Sequence, residues 1–255
     1  MQSLKFSYAE WCFYKNGDDP ASFYRNIFRI GYLGAEMVPA ERWQYAKAAG
    51  LKIVNIIAPG MQNGLNRLEN QETLLPEIIN LIQIAQANEV EQIIIFSGNR
   101  LGQLDEDGLI NTTLAAKYLA PHAESAGVIL ALEVLNTFDH PDYQADASAY
   151  ALEVARRVSS PAVRVLYDIY HMARMGEDIY TGIVPSLEYI SHLHVAGSPR
   201  RDFPGINQDI DYLNLMRSLH TAGYRGYWGM EFLPTGDPLS ELENALASFT
   251  SYLPS

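Results

Sequence analysis

A single cysteine, Cys12, stands among 255 residues, so no internal disulfide framework can staple this chain. One thiol in a chain of this length fits a reducing compartment, and its place near the N-terminus reads as packing rather than as a nucleophile. Positive charge is scarce as well. Eighteen Lys and Arg stand against 30 Asp and Glu, a formal net charge of -12, which would repel an extended phosphate backbone or an anionic lipid surface. Nucleic acid and membrane are therefore not expected partners. No apolar run reaches the length of a membrane-spanning helix, and the opening MQSLKFSYAE has no apolar h-region. The expected location is the cytoplasm. Linkers, low-complexity stretches and short-period repeats are lacking too, so one domain over residues 1–255 is expected. With 48% hydrophobic residues, such a chain can bury a large core.

What the sequence does contain is one dominant rhythm. Short apolar runs rich in Val, Ile, Leu and Tyr recur, each followed by a loop and a segment of helical spacing, as in βα units around a parallel sheet. Eight such runs are read at residues 4–9, 32–38, 51–58, 91–98, 127–135, 162–170, 190–197 and 226–233. Helices are read between them: DDPASFYRNIFRI with Pro20 near its start, LLPEIINLIQIAQANE with an apolar stripe, and TTLAAKYLAPHAESAG closed by Gly127. Eight alternations over this length predict a single α/β domain, a (β/α)8 barrel. The Gly- and Asn-rich loop from Pro59 to Asn70 is expected to cover one end of it.

In such a barrel the C-terminal ends of the strands form the active face, so polar residues there carry more information than elsewhere. Four strand ends hold them: Glu133 in LALEV, Asp168 in VLYDIYH, His194 in HLHVAG and Glu231 in WGMEF. Taken singly, each acid reads as a helix N-cap or a solvated loop residue. Taken together, three carboxylates and an imidazole in a barrel mouth call for a divalent cation, because desolvation and mutual repulsion would otherwise drive protonation. Oxygen-rich coordination suits Mn²⁺, Mg²⁺ or Co²⁺, with Zn²⁺ also admissible. His192 alternates into phase with His194 and reads as either a deeper interior histidine or a partner of the ligand set. Glu36, near the end of the second run, reads equally as an orienting group or a plain salt bridge. Trp11, Phe13 and Tyr14, just after the first run, read as lining the pocket or a subunit contact or, the favoured reading for any one of them, as packing.

The combination of LEVLNTFDHPDY, YDIYHM, HLHVAGSPRR, DIDY and GMEF resembles the hydroxypyruvate isomerase family within the xylose isomerase-like barrels, which also include ketose 3-epimerases of the D-tagatose 3-epimerase type. That resemblance implies a divalent metal held by Glu133, Asp168, His194 and Glu231, with the two glutamates also transferring protons. It implies substrate contacts at His171, three residues after the aspartate, and at Arg200, six after His194. Hydroxypyruvate isomerases tend to have Gln where this chain has His194, and His there is similar to the epimerases. The NTFDHPDY and AGSPRR segments resemble the isomerase branch.

The expected activity is thus a metal-dependent isomerisation of a small sugar or hydroxy-keto acid through an enediolate, with ketose 3-epimerisation as the alternative. Arg200 and Arg201 offer planar guanidinium forks suited to a substrate carboxylate; a solvated loop pair is the competing reading. An inosose dehydratase-like lyase would use much the same site, and a non-catalytic sugar-binding barrel would be expected to lack one of the two glutamates. A multi-metal phosphodiesterase similar to endonuclease IV would need more than six histidines and a basic surface. A homo-oligomer is compatible with the sequence.

Overall fold

The run VRVLYDIY, β-branched and apolar, becomes a strand that stops at Asp168, and seven other runs behave in the same way. In the computed structural model, which describes residues 4–205 and 208–251, the strands are β1 (Lys5–Ala9), β2 (Gly34–Glu36), β3 (Lys52–Ile57), β4 (Gln92–Ile95), β5 (Ile129–Glu133), β6 (Val163–Asp168), β7 (Ile190–Val195) and β8 (Tyr227–Met230). They close in chain order into an eight-stranded barrel, and neighbours run parallel, as β1 does with both β2 and β8. All four residues of QIII in β4 are buried, as expected of strands covered on both faces. The eight-run rhythm of the sequence is this barrel.

Contacts divide the chain into two compact units, residues 1–54 with 192–255, and 55–191. In the first, aromatic edges build the core: Phe6 meets Tyr32 and Phe249 at ring centroids of 6.5 and 6.2 Å, and Trp228 meets Phe249 at 6.1 Å. Helix Pro20–Ile30 begins where read. The Asp19 side chain accepts from the Ser22 N–H, Pro20 occupies the first turn, and Gly31 closes the helix at φ 119. After β1 lies a partly buried ion pair that the sequence did not announce. Arg42 donates to Glu10 from Nε at 2.7 Å and Nη2 at 3.0 Å, and the Tyr24 hydroxyl donates to the same carboxylate.

In the second unit, helix Leu68–Ala87 buries Leu74, Ile78, Ile82 and Ala85 on one stripe, and helix Asp105–Ala126 ends at Gly127 in the left-handed region. Both helices start a turn or more before the segments read from sequence, and for the first of them proline accounts for the difference. Pro76 and Pro121 lie inside these helices. A proline is most at home in a first turn, so Pro76 suggests a later start than the true one. The glycine-rich loop is correspondingly shorter, since Leu68 to Asn70 are already helical. It is tied to the C-terminal end of β4, with Asn66 N–H donating to the Ser97 carbonyl at 2.8 Å and Asn66 Nδ2 donating to Gln144 Oε1 at 2.6 Å. No described helix is long and apolar enough to cross a membrane.

Arg42→Ala would leave the Glu10 carboxylate buried without its cation. A loss of about 2–3 kcal/mol in urea unfolding is expected, given that the arginine is partly exposed. A loss below about 0.5 kcal/mol would contradict a structural role for the pair.

Candidate active site

Strand chemistry decides where the charged side chains stand. Glu133 is the last residue of β5 and Asp168 the last of β6, His194 is the penultimate residue of β7, and Glu231 directly follows β8. All four are buried, and one ligand atom from each lies within 4.8 Å of the others. The structure brings together the set expected from the four strand ends.

Glu133 and Asp168 are held by their own loops. The Tyr143 hydroxyl donates to the Glu133 carbonyl at 2.9 Å and accepts from the Ser97 N–H at 3.1 Å, which fixes the end of β5. Asp168 performs two tasks. Its Oδ1 accepts from the His171 N–H at 2.9 Å and caps helix Ile169–Arg174, while Oδ2 lies 3.7 Å from His171 Nε2. Asp168 thus caps a helix and also stands in the buried group of three carboxylates and an imidazole. His171 itself is fully buried. Its Nδ1 lies 3.1 Å from the Asn136 N–H, which can only donate. The acceptor role of Nδ1 places a neutral ring's proton on Nε2, the edge facing Asp168.

Three nitrogens surround the Glu231 carboxylate. Trp11 Nε1 donates to Oε1 at 2.9 Å, His194 Nδ1 lies 2.9 Å from Oε2, and Arg201 Nη2 lies 2.8 Å from the same oxygen. The Arg201 guanidinium also lies over the Trp11 ring, 5.3 Å from its centroid. Arg200 is elsewhere: its side chain is 74% exposed and pairs with Asp202 at 2.7 Å. The backbone explains the divergence. Arg201 adopts φ 56, a left-handed turn that sends successive side chains to different sides, and it is the second arginine, not the first, that reaches the cluster. Trp11 departs from the favoured packing reading and follows the pocket-lining one, being 49% exposed with its N–H on Glu231. Its position two residues past β1 was the available signal. Phe13 is buried, as expected. Burial pushes the Cys12 thiol well above its usual range, and the nearby Glu231 charge adds to the effect, so Cys12 stays a thiol.

Behind His194 lies a second group. Glu36 Oε2 is 3.0 Å from His192 Nε2 and 2.9 Å from His194 Nε2, and all three residues are buried. Burial would raise the Glu36 carboxyl, but the charges and hydrogen bonds of His192 and His194 outweigh it and hold the group well below the ordinary carboxylate range.

A sequence profile of the xylose isomerase-like TIM barrel matches residues 2–252. The chain belongs to that family. The human relative, provisionally named a hydroxypyruvate isomerase, is 26% identical over 266 residues, 95% of this chain and 94% of that protein. Hydroxypyruvate isomerase of Escherichia coli (strain K12) is 30% identical over 118 residues, 46% of this chain and 45% of that protein. Among solved structures, D-psicose 3-epimerase with D-tagatose from Clostridium cellulolyticum H10 superposes with a TM-score of 0.81 at 17% identity, covering 99% of this chain and 100% of that one, a likeness of fold. As a member of the xylose isomerase-like barrels with these relatives, the chain is an isomerase.

The direction of the Glu36 shift fixes a pH dependence. A folded value below the unfolded one stabilises the fold above the ordinary carboxyl value of 4.5, and that stability is lost as pH falls through the lower folded value. Urea unfolding of chelator-treated protein at about pH 6 and about pH 3.5 should therefore show a larger stability loss in wild type than in Glu36→Gln. Equal losses would contradict the assignment.

Proposed function

We propose that the chain is a divalent-metal-dependent isomerase of a small hydroxy-keto acid of the hydroxypyruvate type, working by proton transfer through an enediolate. The observation that supports this most directly is the buried group Glu133, Asp168, His194 and Glu231, with ligand atoms within 4.8 Å of one another. Its donor set fits a cation. Three carboxylates buried this close would be driven to protonate unless a positive charge compensated them, and three oxygen donors with one imidazole suit Mn²⁺, Mg²⁺ or Co²⁺, with Zn²⁺ admissible. When bound, the cation polarises the substrate carbonyl and offsets the negative charge that develops on the enediolate oxygens.

The remaining work belongs to side chains. Glu231, facing the Trp11 N–H and the Arg201 guanidinium, stands as an acceptor and takes the proton from the hydroxymethyl carbon. The electron pair left behind forms the carbon–carbon double bond of the enediolate. Glu133 returns a proton to the former carbonyl carbon, the hydroxymethyl oxygen passes its own proton to the former carbonyl oxygen and becomes the new carbonyl, and proton exchange with water resets Glu231 and Glu133, so that the product is an isomer and nothing else is consumed. His171 presents Nε2–H from a ring fixed by Asn136, an orientation suited to holding a substrate oxygen. The substrate carboxylate falls to Arg201, whose planar fork lies at the cluster, while Arg200 points outward. A ketose 3-epimerase is the second reading, favoured by one observation: an imidazole, His194, completes the ligand set, as in the epimerases that the sequence resembles.

Isomerisation of hydroxypyruvate is expected to vanish on dialysis against a chelator and to return with Mn²⁺; turnover indifferent to both treatments would sink the proposal. Glu231→Gln should lower kcat by about 10²–10⁴-fold with an unchanged circular dichroism spectrum. Near-normal turnover in that variant would remove Glu231 from the chemistry. Arg201→Met is expected to raise KM for the keto acid about tenfold or more, with little change for a neutral ketose. An equal effect on both substrates would argue that Arg201 serves only to place Glu231.

A further inference from the structure

The proton transfer just described makes no use of Glu36. This carboxylate is nevertheless fully buried in one compact unit with His194, and four neighbours define its place. His194 Nε2 lies 2.9 Å from Oε2, His192 Nε2 lies 3.0 Å from the same oxygen, and the Ser7 hydroxyl donates to Oε1. The fourth neighbour is a missing side chain. Gly229 is paired in register with His194 across β7 and β8, and a Cβ there would come within 2.3 Å of Glu36 Oε1, 2.7 Å of His192 Nε2 and 3.0 Å of His194 Cδ2. The carboxylate fills the space that the glycine leaves. A buried acid packed this closely into a barrel interior, against the far edge of one imidazole, calls for a specific role.

The two edges of the His194 ring face different groups. Nε2 meets Glu36, whereas Nδ1 lies 2.9 Å from Oε2 of Glu231, another of the candidate ligands. A carboxylate that accepts N–H from one ring nitrogen leaves the lone pair on the other, and such carboxylate–histidine pairs fix both tautomer and ring orientation behind metal sites. We propose that Glu36 is a positioning residue: it accepts the Nε2–H of His194 and so aims Nδ1 at the cation, while His192 and Ser7 hold the Glu36 carboxylate in place. This rests on the reading of Glu133, Asp168, His194 and Glu231 as cation ligands. The competing arrangement, a second cation held by Glu36, His192 and His194 themselves, differs in stoichiometry.

Equilibrium dialysis with Mn²⁺, read by metal analysis, separates these cases in purified full-length protein. Wild type is expected to bind one Mn²⁺ per chain, and Asp168→Asn to bind it far more weakly. Glu36→Gln, which keeps an acceptor but loses the charge, should raise Kd about tenfold, and Glu36→Leu about a hundredfold. The visible absorption of Co²⁺ bound to Glu36→Gln should also shift from that of wild type, because the ligand field senses the orientation of the imidazole, whereas a merely structural role would leave it unchanged. Gly229→Ala keeps every polar group but displaces the Glu36 carboxylate, and it should weaken Mn²⁺ as Glu36→Gln does. This variant carries the test if the Glu36 substitutions fail to fold. Failure of wild type to bind Mn²⁺, or wild-type affinity in Asp168→Asn, would overturn the ligand set itself. Weak binding in Asp168→Asn with wild-type Kd and Co²⁺ spectrum in Glu36→Gln and Gly229→Ala would overturn only the role of Glu36. Two Mn²⁺ per wild-type chain, falling to one in Glu36→Gln, would overturn it in favour of a second cation.

Discussion

Carboxylates buried at the C-terminal end of a parallel barrel must be compensated, and much of the polar architecture follows from that need. Glu133, Asp168, Glu231 and Glu36 are all buried, in a medium where an isolated ionised carboxyl is costly by several kcal/mol. The chain supplies part of the compensation itself. His194 stands between Glu36 and Glu231, Arg201 reaches Glu231 from a left-handed turn, and Asp168 accepts an N–H, that of His171, from the first turn of a helix. Three of the acids also converge with His194 on one small volume, which is the arrangement a divalent cation completes.

The same need explains residues that fold considerations alone would leave arbitrary. Gly229 lies where a side chain would collide with Glu36. Trp11 keeps half its surface exposed yet directs its N–H to Glu231, and it lies under the Arg201 guanidinium. The net charge of -12 points the same way at the scale of the whole surface. It disfavours polyanions, while one guanidinium, that of Arg201, stands at the cluster.

Much of this was legible in the sequence. Strand period and strand-end polarity located the barrel and Glu133, Asp168, His194 and Glu231, because in a parallel barrel a break in an apolar run occurs at a defined height. Helix starts were less legible: Pro76 inside helix Leu68–Ala87 imitates a first-turn proline. The partners of Glu231 were least legible, since Trp11 lies 220 positions away in sequence, a contact that only closure of the barrel creates. Choosing Arg201 over Arg200 required a backbone angle that the residue types do not announce. Glu36 was read as an orienting group or a plain salt bridge; the missing Cβ of Gly229 and the two imidazoles favour the former.

The central claim is that a cation and two glutamates move a proton between adjacent carbons of a hydroxy-keto acid. Solvent hydrogen exchange tests it most directly. Incubated with hydroxypyruvate in deuterium oxide, the Mn²⁺-loaded protein is predicted to place deuterium on the carbon that receives the returned proton, and the chelator-treated protein to place none. An isomer formed without solvent deuterium, or exchange that proceeds equally after the metal is removed, would contradict the account.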